Sequence, residues 1–154
     1  GEEVSLSTPM ARMHTAEHLL SAVMQREFGT GHSVETHLGR KKSKCDFVLE
    51  RSLEEDEVRR VEEAVNAEID ADHPVRTIRL RRALAADTAD LSRIPGDAVE
   101  VRLVEIGTFD RTPCIGEHVP HTACVGRFVI YSVEMRDERT VRLRFKLEEP
   151  EVDG

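Results

Sequence analysis

The chain contains no tryptophan, one tyrosine and five phenylalanines in 154 residues, so its core must be built from aliphatic side chains. Cysteine is also scarce. Cys45, Cys114 and Cys124 form an odd, widely spaced set, which is poor material for a disulfide framework and fits a reducing compartment. No apolar run approaches the roughly 18 residues needed to span a bilayer, and the opening Gly-Glu-Glu-Val lacks the basic start and apolar stretch of a signal peptide. These absences predict a cytoplasmic protein with no membrane partner. An excess of cations is missing too: 22 Lys and Arg face 30 Asp and Glu, a formal net charge of -8, which excludes a generally basic nucleic-acid coat. With no Pro/Gly/Ser-rich linker and no internal repeat, residues 1–154 read as a single domain, and 39% apolar residues suffice for one core.

Thr8 before Pro9 marks a helix start, and Ala16, Leu19, Leu20 and Val23 then recur at helical spacing as far as Gly29, predicting helix one over 9–28. Val34, Thr36 and Leu38, followed by Phe47, Val48 and Leu49, predict a hairpin across 31–51. Ser52-Leu-Glu-Glu55 has the spacing of a capping box, and Val58, Val61, Val65 and Ile69 carry helix two over 53–71. Alternation predicts strands at 75–80, 99–106, 128–133 and 140–147, with a short helix over 82–89 and a turn at Pro95-Gly96. The fold class is therefore α+β, with two main helices packed on a mostly antiparallel sheet.

The chemistry concentrates in two short segments. His14 and His18 are one turn apart on helix one, so both imidazoles project from the same face. Cys114 and His118 repeat that spacing just after a strand, with Gly116 between them to let the backbone turn tightly. Three imidazoles and a thiolate select a borderline-soft ion, and one Zn²⁺ per chain is the first choice. The position after the first histidine is Thr15 and not the Glu of a zincin helix, so peptidase chemistry of that type is excluded. A catalytic ion would polarise a carbonyl or activate water, whereas a closed four-ligand site would be structural, and both readings stay open here. The Thr15 hydroxyl and the backbone N–H groups around Gly116 are candidate donors to a tetrahedral intermediate. Arg40, Lys41, Lys42 and Lys44 form the clearest local basic patch, whose plain alternative is a solvated loop or strand face.

Met13-His-Thr-Ala-Glu-His-Leu-Leu20 resembles the first motif of the editing domains of alanyl- and threonyl-tRNA synthetases and of the freestanding AlaX-type editing proteins. Cys114-Ile-Gly-Glu-His-Val119, with Thr122 and Val125-Gly-Arg-Phe128, resembles their second motif, and the intervening elements come in the same order. The resemblance implies that His14, His18, Cys114 and His118 bind zinc in an editing-domain-like fold. It implies hydrolysis of the ester joining a wrong amino acid to tRNA, most simply serine or glycine on tRNA for alanine. Ile115-Gly116 replaces a glycine pair of the synthetases and is closer to the shortest AlaX forms, which implies a minimal freestanding editor. Glu35, Thr36 and His37 then fall where related hairpins line the amino-acid pocket, and Arg40 to Lys44 becomes the expected holder of the tRNA acceptor end. Two other readings remain: a metal-dependent hydrolase of small esters or amides, and a non-catalytic zinc-stabilised RNA-binding module.

Overall fold

In the computed structural model, residues 8–81 and 100–149 are described. Helix α1 spans Pro9–Phe28. The Thr8 hydroxyl accepts from the Ala11 N–H at 3.1 Å, and Gly29 closes the helix at φ 69°, a left-handed conformation that disfavours any residue with a Cβ. The expected stripe of Ala16, Leu19, Leu20 and Val23 is buried, but so are Arg12, Thr15, Glu17, His18 and Ser21 on its other sides. Helix α1 is thus enclosed almost all round, and its buried polar groups need partners inside the protein.

Hairpin strands β1 (Glu35–Leu38) and β2 (Lys42–Val48) lead to helix α2 (Glu55–Asp70). The capping box of α2 sits two residues later than Ser52 to Glu55. Glu54 is the N-cap, and the Glu57 carboxylate accepts the Glu54 N–H at 2.9 Å while gripping the Arg51 guanidinium with two 2.8 Å bonds. That double engagement holds the Glu57 carboxyl down to about 2, the Arg51 hydrogen bonds contributing most, and it explains why Glu57 and not Glu55 closes the box. Val61, Val65 and Ile69 form the buried stripe of α2.

Strands β3 (Val75–Arg81), β4 (Glu100–Ile106), β5 (Asp110–Pro113), β6 (Arg127–Met135) and β7 (Thr140–Glu148) follow. They do not complete one sheet as expected. A four-stranded sheet has the order β1-β2-β7-β6 and a three-stranded sheet the order β3-β4-β5, with every pairing antiparallel. Strand β5 was not expected from the sequence, because Asp110-Arg-Thr-Pro113 has no apolar alternation; it is a strand by virtue of pairing with β4. The expected helix over 82–89 and the turn at Pro95-Gly96 lie outside the described residues.

The main core joins Leu19, Leu20, Phe47, Phe128, Leu143 and Phe145, with the Phe128 and Phe145 rings 5.0 Å apart between centroids. Val101 and Leu103 form a smaller cluster with Ile78 and Leu80. The loop before β6 is fastened to the end of α2: the Thr122 hydroxyl donates to the Glu68 carbonyl and accepts the His73 N–H, both at 2.8 Å, and Val75 N–H reaches the Pro120 carbonyl at 2.9 Å. These bonds set where residues 114–119 can lie. Among the described residues no helix is long and apolar enough to cross a membrane.

Asp46 on β2 is 1% exposed, and its carboxylate meets Arg142 at 2.7 and 3.0 Å and Arg136 at 3.0 Å. Asp46→Ala strands these guanidinium groups. Because the arginines reach toward water, we expect a loss of roughly 1–3 kcal/mol, below the cost of breaking a fully enclosed pair, measurable by urea unfolding.

Candidate metal centre

Four side chains from two distant parts of the chain converge beside α1. His14, His18, Cys114 and His118 each bring one ligand atom, all within 4.8 Å of one another. Cys114 Sγ lies 3.2 Å from His14 Nε2 and 3.5 Å from His118 Nε2, and the His14 and His118 rings stack with centroids 4.6 Å apart.

The imidazoles are held as neutral bases. Burial lowers His14, takes His18 well below its usual range with His118 and His14 adding repulsion, and brings His118 down to about 3. Burial also raises the Cys114 thiol, against the opposing pull of the Gly116 N–H and the Arg102 charge. His18 is 2% exposed, yet its Nδ1 has no hydrogen-bond partner, a costly arrangement unless another group accepts the lone pair or the proton. Three uncharged imidazoles and one thiol in such a space fit a nitrogen- and sulfur-accepting metal ion.

Gly116 has a reason to be glycine that spacing alone did not reveal. It is absent from the glycines of positive φ; what it supplies is room, since a Cβ there would fall 1.9 Å from His14 Cε1 and 2.0 Å from His14 Nδ1. Its N–H points at Cys114 Sγ at 3.4 Å, so that donor serves the sulfur.

Thr15 is fully buried, and its hydroxyl is spent within the protein. It donates to the Ala11 carbonyl at 2.9 Å, accepts the Val119 N–H at 3.2 Å and sits 3.0 Å from His118 Nδ1. With its one proton on Ala11, Thr15 accepts from His118 Nδ1–H, which leaves Nε2 bare toward Cys114. No part of this hydroxyl remains for an oxyanion, so Thr15 is a positioning residue for His118. Thr15→Val leaves the Val119 and His118 donors unpaired, and we expect it to cost about 1–3 kcal/mol of stability and about 10–100-fold in metal affinity. Thr15→Ser should recover most of both in a competition titration.

Two further groups, half-buried Arg102 and buried Glu17, brace the site. Arg102 on β4 donates through one nitrogen to the carbonyls of Cys114 at 2.7 Å and Gly116 at 3.1 Å, clamping the ligand loop. Glu17, 3% exposed between the two helical histidines, accepts from Ser21 at 3.1 Å and Ser33 at 2.9 Å and lies 3.9 Å from His18. An acid beside the histidines was visible at 17 in the sequence; Ser21, one turn along the same helix, and Ser33, from the loop before β1, are what satisfy it.

The hairpin residues divide by strand alternation. Thr36 faces the helix side, opposite buried Cys45, and its hydroxyl meets Ser33 at 2.6 Å. Glu35 and His37 lie on the other face, where Glu35 pairs with Arg136 and His37 is exposed. The structure therefore does not bring these three side chains to one pocket. The basic patch, in contrast, gains members: Arg40, Lys41 and Lys42 share a groove of about 830 Å³ with Lys146, and Lys44 lines a second of about 310 Å³ with His37, Tyr131 and Arg144. Lys42 pairs across the ladder with Lys146, and Lys44 with Arg144, like charges placed opposite each other. Cys124, half-buried, places its Sγ 3.2 Å from His121 Nε2.

Fold and site together define an α+β domain that carries a candidate His/His/Cys/His metal centre between a central helix and a strand-end loop. Residues 101–144 match the family described as the threonyl and alanyl tRNA synthetase second additional domain. The chain is 31% identical over 142 residues to an alanine–tRNA ligase of Metallosphaera sedula, covering 88% of this chain and 16% of that one. Against an alanine–tRNA ligase of Paraburkholderia xenovorans it is 36% identical over 124 residues, 78% of this chain and 14% of the ligase. Against the alanyl-tRNA editing protein AlaX-M of Methanosarcina acetivorans it is 32% identical over 146 residues, 88% of this chain and 57% of that protein. The chain is thus related to the alanyl-tRNA editing proteins and to the domain that alanyl- and threonyl-tRNA synthetases share. It spans about a sixth of the ligases and just over half of the editing protein.

Proposed function

We propose that this chain is a zinc-dependent deacylase of mischarged tRNA, acting in the cytoplasm as one editing domain, with serine or glycine on tRNA for alanine as its substrate. The observation that carries the reading is the cluster of His14, His18, Cys114 and His118, assembled from both motifs that resemble the editing family. In this reading all four hold one Zn²⁺. When bound, such an ion supplies Lewis acidity, which polarises an ester carbonyl and eases the ionisation of water.

The protein's own residues prepare that chemistry. Thr15 orients His118, Arg102 fixes the Cys114 loop, and the Gly116 N–H supports the sulfur. Of the three hairpin residues we assign a role near the amino acid to Thr36, whose hydroxyl meets Ser33 beside Glu17. A polar wall there suits a substrate hydroxyl, because a pocket that hydrogen-bonds a hydroxyl rejects the analogue lacking it strongly. The acceptor stem is assigned to Arg40, Lys41, Lys42 and Lys44, joined by Lys146; Lys42 and Lys146, opposed on one ladder, favour an anionic partner, whereas Arg144 already pairs with Glu134.

The test is deacylation of seryl-tRNA for alanine by the wild type, His14→Ala and Cys114→Ala. Activity confined to the wild type supports the proposal, and equal rates in all three sink it. Activity on amino-acid esters with no response to tRNA would favour a small-ester hydrolase instead.

A further inference from the structure

Arg79 and Arg102 stand opposite each other in the β3–β4 ladder, so their side chains share one face of the three-stranded sheet. Arg102 is fixed on that face. Its guanidinium reaches Thr77 Oγ1 at 3.4 Å on one side and the Cys114 and Gly116 carbonyls on the other. All of these acceptors are uncharged. Arg79 is exposed on β3, which is an outer strand of its sheet, and among the described residues it has no ion pair. Its ladder neighbours differ: Arg81 is opposite Glu100 and Arg76 opposite Glu105. Two arginines therefore stand opposite each other in a protein of net charge -8, neither with an ion pair among the described residues, and Arg102 lies against the loop that carries Cys114.

Cross-strand like charges are unfavourable unless an anion lies between them or nearby. The Cys114 and Gly116 carbonyls account for Arg102, which lies against their loop, but not for a second cation at Arg79. We propose that Arg79, with Arg102 beside it, binds a phosphodiester of the RNA strand whose 3′ end enters the metal centre. This rests on the deacylase reading and adds to it the place where the strand leaves the site. Arginine suits the role, because its planar fork grips phosphate oxygens in pairs. The occupant is the 3′-terminal strand, whose phosphates begin one nucleotide from the ester. The Lys42 to Lys146 groove lies on the other sheet and would meet a different part of the RNA.

The experiment measures binding of the metal-loaded full chain to two probes carrying serine through a non-hydrolysable 3′-amide. One is an acceptor-stem hairpin ending in CCA, and the other is adenosine alone, which has no phosphate. Arg79→Gln should weaken the hairpin roughly tenfold and reduce the slope of log affinity against log salt by about one, with no change for the adenosine probe. Arg79→Lys should keep the salt slope while losing part of the affinity. Equal hairpin affinity and slope in wild type and Arg79→Gln would overturn the assignment. Equal weakening of both probes would overturn it as well, since that would indicate a disturbed metal loop. A wild type that binds hairpin and adenosine probes alike would bring down the RNA reading itself, a failure separable from that of Arg79.

Discussion

Gly116→Ala is expected to abolish metal binding at working concentrations while leaving the fold intact. The added methyl would sit 1.9 Å from His14 Cε1 and 2.0 Å from Nδ1, far inside van der Waals contact, so the imidazole or the loop must move. The loop is not free to yield, because Arg102 holds the carbonyls on both sides of Ile115. The ring therefore swings away and the cluster loses a ligand. Metal affinity should fall by more than the roughly 10–100-fold that follows removal of an outer-sphere partner, and deacylation should fall with it. Gly116 lies on a half-buried loop beyond β5 and outside the main core, so the thermal midpoint of the metal-free protein should move little. The decisive comparison is a double-mutant cycle with His14→Ala. If the methyl acts through the ring, Gly116→Ala adds almost nothing once the ring is gone, and full additivity would disprove that route.

Chelation has the second large effect, and it separates a catalytic centre from a structural one. The three phenylalanines of the core, with Leu19, Leu20 and Leu143, form a single cluster with no ligand among them, so the fold has a hydrophobic basis apart from the ion. Removing the metal should end deacylation, while the far-ultraviolet circular dichroism at 25 °C stays native. The unfolding free energy should fall by the linkage amount, about 2.7 kcal/mol where free metal had stood at a hundredfold its Kd, and the thermal midpoint should fall with it. Unfolding at 25 °C on chelation would instead identify a zinc-stabilised module of the kind that does not fold without metal. Readdition of Zn²⁺ should restore both activity and midpoint.

The sequence made the ligands legible because each pair is local. His14 and His18 need only a helix, and the Thr8-Pro9 start and Gly29 stop delimited that helix at the residues observed. Helix α2 was placed within two residues, its box displaced because Arg51 recruits Glu57. What stayed hidden was non-local. Arg102 read as one more alternating polar position, and only the β4–β5 pairing brings it to the Cys114 carbonyl. Thr15 was noticed, but its three partners come from α1 and from a segment over 100 residues away, so a donor to substrate and a brace for His118 looked alike. The division into two sheets was invisible for the same reason, since alternation marks a strand without naming its neighbour.

Helix α1 contributes two candidate ligands and the loop after β5 contributes two more, with His14 and Cys114 100 positions apart. That separation has a consequence for how the centre comes into being. A zinc finger gathers its ligands from a short segment, so metal can nucleate its folding, whereas here neither half holds more than two ligands until α1 has docked against the three-stranded sheet. Each half alone is a weak bidentate chelator. In the proposed function, deacylation would therefore be acquired as the last event of folding, and a chain that is only partly assembled would be silent toward charged tRNA.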